Sequence, residues 1–287
     1  MRLRGGVLLI PALLMVFLFV IFPALWGVII SFTGMSLIGV HALEMKFIGL
    51  KNYIKLLNDP DFFNSLRVSF LFTAFSALVG QAFLGLFLAL LFRLEGIRGK
   101  SLVAVVVFLA WIIPEVVAGY TWGAYAHKHG LLNTLLSFLG IRPINWLYKH
   151  PLETAIIANI WRGTAFSMIL FSAALESIPN FLYEAAEVDG ATGWQRFRSI
   201  TLPLISHVII IDYILITIWT FSVFTLIFVM TGRGVGGATE LWTIFTYYRG
   251  FQPPYEISYA AASASLMFLI VLALIFVYLF ALRRVKV

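Results

Sequence analysis

Six long apolar runs constrain the fold of this 287-residue chain more than any other feature. Each run is about 20 residues or longer, which lets a helix cross a hydrocarbon core of roughly 30 Å. Because a backbone inside lipid must satisfy its own hydrogen bonds, helices are the expected structure. The sequence therefore predicts an all-α, polytopic membrane protein with six transmembrane helices. They are expected at about residues 6–31, 66–92, 101–126, 152–176, 204–230 and 260–282.

Composition supports a membrane protein and excludes several other classes. Hydrophobic residues make up 61% of the chain and charged residues only 11%, too few to cover a soluble domain. The formal net charge is +7, but the basic residues collect at the ends of apolar runs, so no nucleic-acid partner is expected. Without cysteine, the chain has no disulfides, zinc–thiolate sites or cysteine nucleophiles. One transmembrane domain is expected over 1–287, within a lipid bilayer.

The distribution of basic residues predicts the orientation of the chain. Arg93, Arg98 and Lys100 crowd the short second connection, and Arg196 and Arg198 lie in the fourth. Further basic residues stand at both ends of the chain, whereas the odd-numbered connections spread a similar number over about twice the length. The positive-inside rule therefore predicts a multi-pass protein of the cell membrane, with both termini and the even-numbered connections in the cytoplasm.

The fourth connection, segment 177–203, contains the polar stretch "EAAEVDGATGWQRFRSITLP" between two apolar runs. Its first half follows Pro179, a residue favoured in a first helical turn, and continues through good helix formers to Gly190, a natural stop. "WQRFRSI" predicts a second short helix, after which Pro203 opens the fifth span. A helix that is part apolar and part acidic suits docking in a partner's groove. For "WQRFRS", an interfacial position on lipid headgroups stays open.

The spacing of residues in this stretch resembles that of a known family. Glu184-Ala185-Ala186, Gly190 and the group Ile200-x-Leu202-Pro203 match the signature loop of permease subunits in binding-protein-dependent ABC importers. "FIGLKNYIKLLNDPDFFNSL", "WIIPEVVAGYTW" and "IWRGTAFSMILFSAALESIPNFLYEAAEVDGA" are similar to the sugar-importer branch, of the maltose-transporter first-permease type. The resemblance covers essentially the whole chain and implies the type I ABC importer permease fold.

The resemblance also implies partners. A second, homologous permease completes the pathway, a homodimeric ABC ATPase binds ATP and Mg²⁺, and an extracytoplasmic sugar-binding protein delivers the cargo. It implies no cofactor in this chain. In such proteins the loop helix, 180–190 here, docks on the ATPase and couples it to transport. The residues expected to carry this coupling are Glu184, Ala185, Ala186, Asp189 and Gly190.

Enzyme chemistry is not expected within the chain. "RGKS" at 98–101 lacks the glycine five residues before Gly99 that a phosphate-binding loop requires, so a separate subunit hydrolyses ATP. "GRGVGG" at 232–237 follows an apolar helix, which favours an external loop over a dinucleotide site. His127 and His129 have no further ligand nearby, so no metal site is expected.

Three charged residues fall within predicted spans, where charge is costly and usually faces a bundle interior or a cavity. Glu115 and Arg162 lie about halfway along their spans and could pair, in a structural or a cavity-lining role, of which the structural one is favoured. Asp212 lies nearer the cytoplasmic end and could reach the interface. A proton-coupled secondary transporter that uses the three as a relay is the main rival function. It leaves the Glu-Ala-Ala segment unexplained.

Two stretches carry the mixture of groups that a sugar requires. Sugars present hydroxyl groups above apolar ring faces, so their sites combine amides, hydroxyls and flat aromatics. "NIWRGTAF" (159–166) and "IWTFSVF" (218–224) provide these, although their aromatics could equally serve helix packing or an interfacial belt. The expected cargo is a di- or oligosaccharide such as a maltose- or trehalose-like glucoside, with glycerol phosphate or a polyol as the alternative. The predicted pathway residues are Asn159, Trp161, Arg162, Gly163, Phe166, Trp219, Thr220 and Ser222.

Overall fold

Helices account for all of the regular secondary structure that a computed structural model of the chain describes, apart from an isolated bridge between Thr33 and Phe47. The structure describes residues 3–39, 42–94, 96 and 98–284, and its account of side chains runs from Leu9 to Arg283 within those ranges. The all-α class expected from the sequence is confirmed. The predicted cytoplasmic position of the two termini concerns residues 1–2 and 285–287, which lie outside the described residues.

Sixteen α-helices occur in the described residues, and three π-helical segments join consecutive helices without a break: Phe17–Ile21, Ala74–Gln81 and Phe197–Thr201. The helices are α1 Leu3–Val16, α2 Phe22–Ser31, α3 Lys51–Leu56, α4 Pro60–Thr73, α5 Ala82–Arg93, α6 Lys100–Ile112, α7 Glu115–Tyr125, α8 Leu131–Ser137, α9 Trp146–Lys149, α10 Pro151–Glu176, α11 Asn180–Val188, α12 Gly193–Arg196, α13 Leu202–Phe221, α14 Thr225–Met230, α15 Trp242–Phe251 and α16 Ile257–Arg284.

Five continuous helices in the described residues are long and apolar enough to cross a membrane. A sixth span is obtained if the bent pair α6 and α7 is counted as one. The expected number of spans is therefore reached only with this pair. The five continuous helices run over Leu9–Ser31, Pro60–Arg93, Pro151–Glu176, Gly193–Phe221 and Ile257–Arg283.

The third predicted span, 101–126, is not a single straight helix. Helices α6 and α7 meet at an angle of 109°, with a break at Ile113 and Pro114 whose ψ angles of 128° and 140° are far from helical. Proline lacks the N–H that a helix interior needs, and its ring disfavours a helical conformation in the preceding residue. The break therefore follows from Pro114, and it makes Glu115 the first residue of α7.

The fifth predicted span, 204–230, differs from the structure at both ends. The helix begins at Gly193 and passes through the π-helical segment Phe197–Thr201, so "WQRFRSI" forms its first turns rather than a separate helix. Pro203 lies inside this helix instead of opening it, and the wider π-helical turn directly before it accommodates the missing N–H. The helix ends at Phe221, and α14 restarts at Thr225 after a short unwound stretch.

Contacts between residues divide the chain into two compact units. The first comprises Met1–Asn64 and Trp242–Ile270, and the second Ser65–Leu241 and Val271–Val287. The single domain predicted over 1–287 remains a prediction. Buried hydrogen bonds connect segments of the first unit. The Asn52 amide donates to the carbonyls of Ser31 and Thr33, and the Trp242 indole donates to Ser263.

Helix α10 forms the centre of the second unit, where it packs against α5, α6 and α13. The contact with α5 is close because α5 presents Gly85 there. A Cβ atom added at Gly85 would lie only 2.5 Å from the Cβ of Ser167 on α10. Small residues of this kind let helix backbones approach each other within a membrane, where packing contributes much of the stability.

Candidate functional site

The second unit contains a cavity of about 380 Å³ between α10 and α13, next to both helix breaks. Trp111 and Glu115 flank the break between α6 and α7, and residues 222–224 form the unwound stretch between α13 and α14. Discontinuous helices are a recurrent feature of binding sites within membranes, because irregular backbone is tolerated where it lines a cavity. The cavity is lined by Gln81, Trp111, Glu115, Asn159, Arg162, Gly163, Phe166, Ile216, Trp219, Thr220, Ser222, Val223, Phe224 and Thr225.

All but one of the predicted pathway residues line this cavity. The exception is Trp161, which points away from it and packs edge-to-face against Trp122, with ring centroids 5.9 Å apart. Together with Thr121 and Tyr125, these two tryptophans line a separate pocket. The role of Trp161 in the pathway remains a prediction. The residues that the structure brings together are Asn159, Arg162, Gly163, Phe166, Trp219, Thr220 and Ser222.

A hydrogen-bonded pair of buried amides forms one wall of the cavity. The Gln81 amide donates to the backbone carbonyl of Asn159 at 3.0 Å, and the Asn159 amide donates to the Ser76 hydroxyl at 2.9 Å. A Cβ atom added at Gly163 would come within 2.3 Å of the Gln81 side chain, so this arrangement requires a glycine there. These hydrogen bonds offset the cost of removing the two amides from water.

Sequence reasoning missed Gln81 and Trp111. Gln81 is the one amide side chain in the apolar run 66–92, a signal that could have identified it. It ends the π-helical segment Ala74–Gln81, and such segments frequently occur at functional sites. Trp111 stands three residues before Pro114, near the end of α6, which packs against α10.

Arg162 and Glu115 form an ion pair at the cavity wall, with Nη1 of the guanidinium 3.1 Å from Oε1 of the carboxylate. Glu115 is the first residue of α7, where the helix dipole favours a negative charge. Both side chains are partly accessible, 22% for Arg162 and 33% for Glu115. The Nε atom of Arg162 is buried and has no hydrogen-bond partner in the part of the chain that the structure describes.

Three aromatic rings give the cavity an apolar wall. Phe166 on α10 and Trp219 on α13 pack edge-to-face, with ring centroids 4.6 Å apart, and Trp111 lies 6.3 Å from Phe166. The Trp219 side chain is still 49% exposed, so part of its ring is free to contact a ligand. Aromatic faces of this kind can stack against the apolar face of a cargo molecule.

Asp212 does not reach an interface, contrary to the sequence-based expectation. It is fully buried, and the Ser167 hydroxyl on α10 donates to both carboxylate oxygens, at 2.9 and 3.1 Å. Hydrogen bonding from α10 replaces the water that the carboxylate would find at an interface. Asp212 is also absent from the described residues that line the cavity, whereas Glu115 and Arg162 both line it.

The polar segment 177–203 forms a second candidate site. Helix α11 covers Asn180–Val188, and the chain then turns at Gly190, whose φ of +75° lies in the left-handed region that favours glycine. The amide of Ala191 donates back to the carbonyl of Ala186 at 2.8 Å, which closes the helix end. A capping box between Thr192 and Gln195 then starts the long helix at Gly193.

One face of α11 is attached to the transmembrane helices. The Tyr183 hydroxyl hydrogen-bonds to Thr201 at 2.8 Å and accepts from Arg93 at 2.9 Å, while the Arg93 guanidinium also lies 4.3 Å from the centre of the Tyr183 ring. Leu182 packs against the cluster that contains Phe171 and Leu175 of α10. Motion of α11 is therefore linked to α5, α10 and the long helix.

The opposite face of α11 is exposed. The large apolar side chains of Val188 and Phe181 are 89% and 63% exposed. Such a surface, apolar and flanked by acidic groups, is typical of an interaction site. Four of the predicted coupling residues are exposed and Ala186 is half-buried; the exposed ones are Glu184, Ala185, Asp189 and Gly190.

The comparison with known families identifies the chain. A family model described as "Binding-protein-dependent transport system inner membrane component" matches residues 81–287, which include both candidate sites. This chain belongs to that family. The family predicted from the Glu-Ala-Ala segment is therefore confirmed, and the chain is an integral inner-membrane permease component without catalytic chemistry of its own.

Individual relatives and solved structures agree with this assignment. The permease is 36% identical to "Trehalose/maltose transport system permease protein MalF" of Thermococcus litoralis, over 96% of this chain and 92% of that protein. It is 32% identical to "Sulfoquinovosyl glycerol transport system permease protein SmoG" of Agrobacterium fabrum, over 98% and 91%. A crystal structure of a bacterial ABC transporter that imports the acidic polysaccharide alginate contains a chain of the same fold, with a TM-score of 0.83 and 22% identity over 99% and 96% of the two chains.

Proposed function

We propose that this permease forms the translocation pathway of an ATP-driven ABC importer whose cargo is a neutral sugar, a di- or oligosaccharide such as a maltose- or trehalose-like glucoside. The chemistry of the cavity carries the proposal. Its wall combines the amides of Gln81 and Asn159, the hydroxyls of Thr220 and Ser222, and exposed aromatic surface on Trp219. A sugar needs all three kinds of group, since its hydroxyls hydrogen-bond while its ring faces stack.

Size and charge also support a neutral sugar. The cavity of about 380 Å³ falls within the range of roughly 300–1,000 Å³ that is usual for small-molecule sites. Among the described residues that line it, Glu115 and Arg162 are the charged ones, and they pair with each other at 3.1 Å. A relative of this chain is named for trehalose and maltose, which are neutral glucosides.

The same importer type with glycerol phosphate or a polyol as cargo is the second candidate. Arg162 is the feature that favours an anionic cargo, since a guanidinium binds phosphate well. Its pairing with Glu115 argues against this, because a phosphate would have to displace a carboxylate that is already in contact. A polyol would use the amides and hydroxyls but would leave the aromatic wall unused.

The proposed complex contains a second, homologous permease, a homodimeric ABC ATPase that binds ATP and Mg²⁺, and an extracytoplasmic sugar-binding protein. Segment 177–203 and both termini lie in the cytoplasm in this arrangement. Helix α11 docks on the ATPase through its exposed face, with Glu184 as the charged contact and Gly190 as the turn that ends the docking helix. Acidic and apolar groups together suit a groove with basic residues.

The connection between the two sites supports an alternating-access mechanism. The 29-residue helix Gly193–Phe221 is unbroken and spans about 43 Å, so it links segment 177–203 to Trp219 and Thr220 in the cavity. Closure of the ATPase on ATP binding moves α11, and the long helix transmits this movement to the cavity wall. The energy of nucleotide binding, rather than that of sugar binding, thereby shifts the permease between inward-facing and outward-facing states.

The arrangement of charges weighs against a proton-coupled transporter. A relay requires its titratable groups to lie along one path. Glu115 and Arg162 line the cavity, but Asp212 does not line it and is hydrogen-bonded to Ser167 instead. A relay through the three would also leave the exposed face of α11 without a function.

Purification of the permease from native membranes tests the proposal. A tag at the carboxyl terminus should recover an ABC ATPase and a second permease after gentle solubilisation. Proteoliposomes that contain the recovered complex and its binding protein should take up labelled trehalose or maltose only when ATP is present inside the compartment that holds the ATPase. Uptake that persists without ATP and collapses with the proton gradient would contradict the proposal and support the secondary transporter.

A further inference from the structure

The ion pair of Glu115 and Arg162 is unusual for a sugar-binding cavity, because hydroxyl groups can be bound without any charge. The two residues lie on different helices, α7 and α10, and the bend at Pro114 brings the first of them to the cavity. They are the charged groups among the described residues that line it. The other described lining residues carry no charge at neutral pH, so the pair alone determines the net charge of this wall.

Arg162 retains hydrogen-bond donors that the ion pair does not use. A guanidinium has five N–H groups and stays protonated under all ordinary conditions. Glu115 contacts Nη1, and Nε is buried without a hydrogen-bond partner among the described residues. A buried donor of this kind is costly unless a ligand or water completes its hydrogen bonding. The Arg162 side chain is 22% exposed, so its accessible N–H groups can donate to an oxygen of the cargo while its charge is cancelled by Glu115.

We propose that Glu115 is a specificity-determining residue of this cavity. Its carboxylate cancels the charge of Arg162, so that a neutral sugar is favoured over an anionic one of similar size, while Arg162 supplies hydrogen bonds to sugar hydroxyls. The inference rests on the proposed function, because it assumes that the cargo enters this cavity. It assigns the pair a role in selecting cargo, in addition to the structural contact between α7 and α10.

Quenching of tryptophan fluorescence measures the charge of the cavity without requiring transport. Trp111 and Trp219 line the cavity, and iodide is an anionic quencher whereas acrylamide is neutral. In the purified complex, the ratio of iodide to acrylamide quenching should be higher than in the wild type for Glu115→Gln and lower than in the wild type for Arg162→Gln. In the double variant it should return to the wild-type value. The differences should shrink when Trp219→Phe is added. Equal ratios in all four proteins would overturn the proposal.

Uptake of labelled trehalose by the complete importer gives the functional test. Glu115→Gln and Arg162→Gln should each lower uptake by about tenfold or more, because each leaves an uncompensated charge at membrane depth. The uncharged double variant should recover part of this loss, since charge balance is restored although the hydrogen bonds from Arg162 stay absent. A double variant as poor as the worse single variant would overturn the proposal.

Controls separate charge from folding and from the proposed function itself. Glu153→Gln, which removes an exposed carboxylate on the same α10, should leave uptake and quenching unchanged. Arg162→Lys keeps the charge but not the planar set of donors, so it should keep the quenching ratio of the wild type; a shift as large as that of Arg162→Gln would overturn the role of charge. Co-purification of the partner subunits reports assembly of each variant. A wild-type importer that moves no neutral sugar would refute the proposed function, whereas the variants refute only the role of Glu115.

Discussion

Segment 177–203 and the cavity belong to the same compact unit, but they are built in opposite ways. The segment concentrates its distinctive residues within one short stretch, and most of them are exposed to solvent. The cavity is lined by residues from the segment Ala74–Gln81, from α6, α7, α10 and α13, and by residues 222–225, and its amides are buried and hydrogen-bonded. We propose the first site as a surface for another protein and the second as a cavity for a small molecule.

This difference indicates which kinds of site can be predicted from a single sequence. A docking surface that another protein contacts along one helix leaves a contiguous pattern, such as Glu184-Ala185-Ala186 followed by Gly190. A cavity needs residues from distant positions, and their proximity depends on bends that the pattern does not encode. Substitutions in the two sites should therefore impair transport in different ways.

The largest effect is expected at the turn of segment 177–203. Gly190→Val places a β-branched residue at φ +75°, a conformation that is strained for any L-residue with a side chain. We expect ATP-driven sugar uptake to fall by more than about tenfold, because the end of the docking helix is displaced. ATP hydrolysis should continue without being coupled to uptake, and the chain should still insert. Both activities are measured on the same proteoliposomes.

A second glycine in the same segment provides the matched control. Gly193 lies three residues further on, and a Cβ atom added there meets no atom within 4 Å. Gly193→Ala should therefore retain uptake close to that of the wild type. Wild-type uptake in Gly190→Val, or an equal loss in both variants, would count against the docking role of this turn.

In the cavity, the next largest effect is expected at Gly163. Gly163→Ala would drive a methyl group into the Gln81 side chain and break its hydrogen bond to the Asn159 carbonyl. The buried amide of Gln81 would then lack a hydrogen-bond partner, which costs about 1–3 kcal/mol, so uptake should fall by about tenfold with coupling to ATP intact. Gly123→Ala on α7, where the added Cβ meets nothing within 4 Å, is the control. Equal kinetics in the two variants would remove Gly163 and Gln81 from the site.

The two tryptophans of the predicted pathway can be separated by their positions. Trp219→Ala removes a ring from the cavity wall, and the KM for uptake should rise by about tenfold, a loss of about 1.4 kcal/mol in binding. Trp161→Ala removes a ring that packs on Trp122 outside the cavity, and the KM should change by less than about twofold. A larger effect at Trp161 would show that sugar passes through its separate pocket.

The smallest effect is expected where segment 177–203 attaches to the transmembrane helices. Tyr183→Phe removes a hydroxyl that bonds to Thr201 and accepts from Arg93, while the packing of the ring is kept. Loss of such hydrogen bonds costs about 1 kcal/mol, so the midpoint of thermal unfolding should fall by about 2–4 °C. Tyr120→Phe on α7, where the tyrosine is 67% exposed, should leave the midpoint unchanged. Equal midpoints in the two variants would mean that this attachment contributes nothing to stability.

Much of the fold could be predicted from the sequence because hydrophobicity alone determines which segments enter a membrane. The apolar runs correspond to long helices, and the helical class follows from the need to satisfy the backbone in lipid. The positions at which helices break were harder to predict from the sequence. Pro114 breaks its helix, whereas Pro11 and Pro203 lie inside continuous helices, and the sequence does not distinguish these outcomes because neighbouring helices and π-helical turns decide them.

The candidate sites show the same limit. Trp161 and Arg162 are adjacent in sequence, yet successive residues of a helix point about 100° apart, so only Arg162 reaches the cavity. Asp212 was expected near an interface because its depth was counted along the helix. Its burial depends on Ser167, a residue 45 positions away in sequence. Contacts of this kind come from tertiary packing, which residue patterns do not specify.

Site-directed labelling tests most directly whether α11 docks on an ATPase. The chain contains no cysteine, so single cysteines can be introduced at Val188, which is 89% exposed on α11, and at Phe138, which is 82% exposed after α8. With a membrane-impermeant maleimide, Phe138→Cys should react from outside intact cells, and Val188→Cys only in inside-out membranes. Val188→Cys should react in the permease alone and be protected in the complete importer with its ATPase. Labelling of Val188→Cys from outside, or equal labelling with and without the ATPase, would contradict the docking role of α11.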